Sequence, residues 1–130
     1  MTLSVQLAHR FPSFALDAAF AAPEGVTVLF GHSGSGKTTV ANAVAGLLRP
    51  NRGRIVLGGD VLLDTEQGTD LPAHRRRIGY VFQDARLFPH LTVRQNLTYG
   101  RWFAPRAPGP GLERITDLLG IGPLLGRRPT

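Results

Sequence analysis

The chain has 130 residues, 42% of them hydrophobic, which is the composition of a globular domain rather than of a disordered segment, and by length of one domain. It has no cysteine, which excludes disulfides and thiolate metal sites, and no apolar run near the roughly 18 residues that a membrane-spanning helix needs. The net charge of +6 favours acidic partners such as nucleotides, nucleic acid or a membrane surface, but the excess is scattered arginine. Its one cluster, Arg75 to Arg77, reads as a solvated basic face; a nucleic-acid patch calls for interleaved aromatics or a longer basic stripe, so no nucleic-acid partner is expected.

In chain order, the N-terminus alternates, with Leu3, Val5 and Leu7 on one face of a strand and no apolar core of a signal peptide. Phe14, Leu16, Ala18 and Phe20 repeat the pattern, which places Phe14 in the core. After a turn at Pro23-Glu24-Gly25 comes Val26 to Phe30, short and almost continuously apolar, the signature of a strand buried on both faces in a parallel sheet. A glycine-rich stretch follows at once. Then Val40, Ala43, Val44 and Leu47 mark one face of a helix that Pro50 should end.

Ile55 to Leu57 and Val61 to Leu63 flank Gly58-Gly59-Asp60, a β-hairpin. A polar loop precedes a second short apolar run, Ile78 to Phe82, read as another buried strand running into Gln83. Thr92 and Gln95 have capping-box spacing at the start of a short helix. The stretch from Ala104 to Gly111, rich in proline and glycine, reads as a flexible or extended connection. A last helix carries Leu112, Ile115 and Leu119 on one face, with Gly120 as its C-cap. No internal repeat is present.

The glycine-rich stretch, Gly31-His32-Ser33-Gly34-Ser35-Gly36-Lys37-Thr38-Thr39, fits the phosphate-loop pattern G-x-x-x-x-G-K-[ST] between an apolar strand and a helix. Lys37 is the only lysine among the 15 basic Lys and Arg residues. Glycines let backbone N–H groups approach phosphate oxygens, and a helix N-terminus points its positive end at them. A lysine is a compact charge on a flexible stem that reaches between β- and γ-phosphates, where the planar fork of arginine fits poorly. Thr38 can place its hydroxyl on Mg²⁺. Since no second lysine exists, the Asn-Lys-x-Asp base reader of a GTPase is absent. Asp117 to Gly120 imitates a GTPase D-x-x-G but falls at a helix end and reads as a cap; Val61 to Asp64 imitates a Walker B strand but reads as a hairpin arm. A small nucleotide kinase using Arg75 to Arg77 as a lid stays open as the alternative, as does a stand-alone nucleotide-binding module. The four histidines, His9, His32, His74 and His90, show no metal-ligand spacing.

Taken together, "GHSGSGKTT", "GRIVLGGDVLLD" and "RRRIGYVFQDARLFPHLTVRQNLTYG" resemble the N-terminal half of an ABC-transporter ATP-binding subunit, and the last stretch is most similar to the ATPases of molybdate importers. The resemblance implies an α/β P-loop NTPase fold, the nucleotide-binding domain of an ABC ATPase, with an antiparallel β subdomain, the P-loop and a Q-loop. It implies that Gly31 to Thr39 bind ATP, with Lys37 and Gln83 catalytic and Thr38 and Gln83 on Mg²⁺. Gln83 would touch the metal or attacking water and report nucleotide state. Phe11 is the candidate for stacking the adenine, and His32 is a spacer in the loop.

The implied partners are a transmembrane permease, a second ATPase subunit in a homodimer and, indirectly, a periplasmic or extracellular solute-binding protein. The implied place is peripheral, on the cytoplasmic face of the cell membrane. Leu87 and Phe88, if exposed, are apolar anchors in the groove for the permease; if buried, they are core. The signature Leu-Ser-Gly-Gly, a Walker B Asp-Glu, a D-loop and a switch histidine do not occur in the 130 residues. Residues 1–130 are therefore expected to be the N-terminal part of one nucleotide-binding domain, aggregation-prone and without hydrolysis by themselves, the missing motifs lying beyond Thr130.

Overall fold

The computed structural model describes residues 1–31, 34–84, 86–102 and 111–129, and the chain divides into two compact units, Met1–Tyr80 and Val81–Thr130. The first unit is built on a five-stranded antiparallel sheet. Strand β1 (Leu3–Arg10) lies between β2 (Ala15–Ala22) and β3 (Arg52–Leu57), and β4 (Asp60–Asp64) and β5 (Thr69–Asp70) continue the order β2-β1-β3-β4-β5. The alternation read from the sequence sets the register. Val5 lies opposite Phe20 on one side and Ile55 on the other, so one face of three strands carries a continuous apolar row.

The β3–β4 hairpin turns at Gly58-Gly59 as its residues predict, with Leu57 opposite Asp60. A register shift beside Ile55 and Val56 pairs Ile55 with Leu63 and Val56 with Val61, leaving Leu62 as the extra residue. The bulge breaks the alternation and lets Leu62 and Leu63, adjacent in sequence, both be buried. Helix α1 (Lys37–Ala45) lays Val40 and Ala43 on the sheet, and these close the core with Val5, Leu7, Ile55, Leu62 and Leu63.

Four expectations need correction. Residues Val26 to Phe30 and Ile78 to Phe82 form no strand: every paired strand among the described residues is antiparallel and none pairs with either segment. Val26 is 95% exposed and Phe30 98% exposed. Apolar side chains bury a strand only when a neighbouring ladder holds its backbone, and neither run finds one within these residues. From these two segments Thr27, Leu29, Ile78 and Tyr80 line an apolar cavity of about 250 Å³ with Phe20, Val40 and Val44. Next, α1 ends at Ala45, one turn early, because Gly46 takes a left-handed conformation, and Leu47 is left half exposed. Phe14 is not core. It precedes β2, is exposed, and stacks on Phe11 at 4.8 Å. Finally, Arg76 is not on a solvated face, for it is almost completely buried between two exposed arginines.

The second unit is held by polar contacts. Helix α2 (Val93–Thr98) starts on the predicted capping box, in which Thr92 accepts from the Gln95 backbone and Gln95 accepts from the Thr92 backbone. Its first two N–H groups, on Val93 and Arg94, donate to the carbonyls of Arg127 and Leu125. Asn96 clasps the preceding loop, accepting from the Phe88 backbone N–H at 2.7 Å and donating to the carbonyls of Phe88 and Thr92. Helix α3 (Leu112–Leu119) ends on left-handed Gly120, so the Asp117–Gly120 sequence is a helix cap. Its Ile115, Leu118 and Leu119 are exposed, and its one buried side chain is Thr116, whose hydroxyl donates to the Glu113 carbonyl. The connection expected at 104–110 lies outside the described residues. Among the described residues no helix is long and apolar enough to cross a membrane.

Candidate functional site

The start of α1 is where chemistry-bearing residues converge. Gly36 is the N-cap, at φ 99°, a conformation that a side chain makes costly. A Cβ there would also lie 2.7 Å from Leu16 Cδ1, so β2 packs directly beneath the loop and leaves no room for one. The first bond of the helix runs from the Val40 N–H to the Gly36 carbonyl at 3.0 Å, so the N–H groups of Lys37, Thr38 and Thr39 have no intrahelical acceptor. Among the described residues no side chain caps this end, and its first turn holds no acidic residue. Its positive end is therefore not neutralised locally, an arrangement suited to an anion.

Lys37 folds back over the loop, and its ammonium donates to the carbonyl of Gly31. The lysine thus joins the first and last glycines of the motif, and an ammonium has three donors, so this bond does not exhaust it. Gly34, Ser35 and Thr38 are exposed, while Gly31, Lys37 and Thr39 are half-buried. His32 and Ser33 lie outside the described residues. The structure thus brings Gly31, Gly34, Ser35, Gly36, Lys37, Thr38 and Thr39 together as one loop and helix start.

The other predicted residues sit elsewhere. Phe11 is half-buried in the β1–β2 turn, closed by a 2.8 Å bond from its N–H to the Phe14 carbonyl. It is stacked on Phe14 and meets the edge of His9 at 4.7 Å. Two residues past Phe14, Leu16 reaches Gly36, so the aromatic cluster lies at the end of β2 that supports the loop. Gln83 belongs to the second unit and is exposed in a bend. Leu87 and Phe88 are exposed there as well, and Phe88 contacts the rings of His90 and Tyr99.

Asp64, the Walker B look-alike, is committed to local structure. Its Oδ1 accepts from the backbones of Glu66 and Gln67, and its other oxygen lies 3.4 Å from Arg54 Nε. Among the described residues no group of three His, Cys, Asp or Glu is placed to hold a metal ion. The oxygen donors near the loop are neutral hydroxyls, Thr38 first among them. A hard cation there needs further anionic oxygens, which the phosphates of a nucleotide carry, so the donor set fits Mg²⁺ arriving with its nucleotide.

With this geometry in view, the sequence profile of the ABC transporter family matches residues 18–129, most of the chain. The chain belongs to the ABC transporter family. It is 59% identical to the molybdenum import ATP-binding protein ModC of Rhizobium meliloti (strain 1021), over 100% of this chain and 37% of that protein. The ModC proteins of Rhizobium johnstonii and Brucella abortus (strain 2308) are 58% and 52% identical, over 99% and 98% of this chain. The chain therefore spans between a third and two fifths of the length of these relatives, 37% and 36% in the last two. Among solved structures it is similar to an ATP-binding cassette in a dimeric post-hydrolysis state bound to ADP and Pi. That likeness has a TM-score of 0.66 and 25% identity, and covers 99% of this chain and 62% of that one. The fold is accordingly the α/β fold of a P-loop ATPase.

Sequence reasoning missed Arg76. The signal was its position in the run Arg75 to Arg77, where only the middle residue points inward, and a charge count cannot separate the three. Its burial also removes one arm of the arginine lid on which the small-kinase alternative depended.

Proposed function

We propose that this chain is the nucleotide-binding part of an ATPase that powers an ABC importer of molybdate. The observation that carries the reading is the loop itself: one lysine, folded across a glycine loop at an uncapped helix N-terminus, in a chain up to 59% identical to molybdenum import ATP-binding proteins. In this reading the N–H groups at the start of α1 and the Lys37 ammonium bind the β- and γ-phosphates. Thr38 presents its hydroxyl to Mg²⁺, which neutralises charge on the phosphates. Phe11 stacks the adenine. Gln83 orients the metal or the attacking water and reports nucleotide state to a permease, whose cytoplasmic segment rests on the exposed apolar side chains of Leu87 and Phe88. A second copy of the ATPase completes the assembly on the cytoplasmic face of the membrane, and a solute-binding protein delivers the anion from the other side.

The test is ATP-driven molybdate uptake and ATP hydrolysis by the full-length protein with its permease. Lys37→Ala should lower hydrolysis by about 10²–10³-fold, the size of loss that follows when one charge contact at a phosphoryl centre is removed. Gln83→Ala should lower turnover and coupling while nucleotide binding persists. A near-normal hydrolysis rate in Lys37→Ala refutes the phosphate role, and equal loss of binding in both variants refutes the division of labour.

A further inference from the structure

The side chain of Arg76 is 1% exposed. Its Nε donates to the Leu71 carbonyl at 2.8 Å, Nη1 to the Ala43 carbonyl at 2.8 Å and the Val44 carbonyl at 3.2 Å, and Nη2 to Asp70 Oδ1 at 2.8 Å. Ala43 and Val44 stand in the last turn of α1, where the regular i to i−4 ladder runs out; the Ala43 carbonyl also accepts from the Gly46 N–H at 3.3 Å. That turn has no basic residue of its own, so the guanidinium supplies the positive charge that the negative end of the helix favours. Gly46 makes the approach possible: a Cβ there would lie 2.9 Å from Arg76 Nε and 3.0 Å from Ala73 Cα. Four residues after Arg76, Tyr80 donates from its hydroxyl to Asn42 Oδ1 at 2.6 Å, a second tie to the same helix.

The helix has nine residues, a rod of about 13 Å. One end carries Gly36, Lys37 and Thr38 and has no side-chain cap; the other is gripped by a buried cation from a different segment. Fixing one end of a short rigid rod fixes the other. We propose that Arg76 is a positioning residue for the phosphate loop: by holding the C-terminus of α1, with Tyr80 and Asn42 as a second tie, it sets where Lys37 and Thr38 meet the triphosphate. This rests on the ATP-binding reading above.

The experiment is steady-state ATP hydrolysis by the full-length protein with its permease, comparing wild type with Arg76→Met, Arg76→Lys and Asp70→Asn. Arg76→Met should raise KM for ATP about tenfold, because a displaced helix end weakens phosphate contacts made on binding as well as in the transition state. Arg76→Lys should recover part of that loss, since an ammonium can still reach a carbonyl. Asp70→Asn leaves the bonds to Ala43 and Val44 intact and should stay within about twofold of wild type. A role limited to stability lowers kcat with the folded fraction and leaves KM where it was, and that outcome overturns the proposal. If Arg76→Met does not fold, Arg76→Lys and Tyr80→Phe decide: a raised KM in both supports the proposal, and an unchanged KM in both overturns it. Wild-type protein that hydrolyses no ATP overturns the ATP-binding reading instead, which separates the two failures.

Discussion

Two short apolar segments of the first unit meet opposite fates. Strand β3 buries Ile55 completely, while Val26 to Phe30, at least as apolar, leaves Val28 75% exposed. The difference lies in the partners and not in the side chains. Residues of β3 find β4 across a two-residue turn and β1, distant in sequence, on the other side, both antiparallel and both among the described residues. Residues 26–30 have the composition of a parallel strand, and such a strand needs neighbours brought in by crossovers from distant sequence. The relatives are more than twice as long as this chain, which covers 37% of the first of them. The lesson is that apolar composition reports the demand for burial, and pairing decides whether the demand is met.

That comparison can be broken by stability measurements on residues 1–130, for whatever fraction is soluble. Ile55→Ala should cost about 2–5 kcal/mol in denaturant unfolding, as expected when a fully buried branched side chain leaves a cavity. Thr92→Ala, which removes half of the α2 capping box, should cost about 1 kcal/mol and speed amide exchange in the first turn of α2. Val28→Ala should change stability by less than about 0.5 kcal/mol, since an exposed side chain has few contacts to lose. Equal costs for Ile55→Ala and Val28→Ala would break the contrast. Repeating Val28→Ala in a full-length protein sharpens it: a cost there of about 1.5 kcal/mol or more shows that the segment finds its partners in the longer chain.

Much of this was legible beforehand for physical reasons. The glycine loop before α1, the β3–β4 hairpin, the α2 cap and the Gly120 terminus are set by local chemistry, meaning residues with few conformational options placed within a few positions of one another. What escaped depends on distant contacts. The bulge that buries Leu62 beside Leu63 is a property of the pairing of two strands. At Gly46, where α1 ends early, Arg76 and Ala73, 27 or more residues away, leave no room for a Cβ. Phe14 has the phase of a core residue, yet it falls where the turn has already left the sheet and pairs with Phe11 instead. Within the candidate site, the glycine turn at Gly34 and Gly36 and the start of α1 at Lys37 follow from the local sequence. The aromatic cluster does not, because its place beside the loop follows from Leu16 packing under Gly36.

The central claim, that Lys37 and the start of α1 hold a nucleotide triphosphate, is tested most directly by equilibrium binding of ATP with Mg²⁺ to full-length wild-type and Lys37→Ala protein, followed by titration calorimetry. The account predicts saturable one-site binding to the wild type and an affinity at least about tenfold weaker in the variant, the loss expected for a charge-assisted contact. Equal affinity in the two proteins would contradict it.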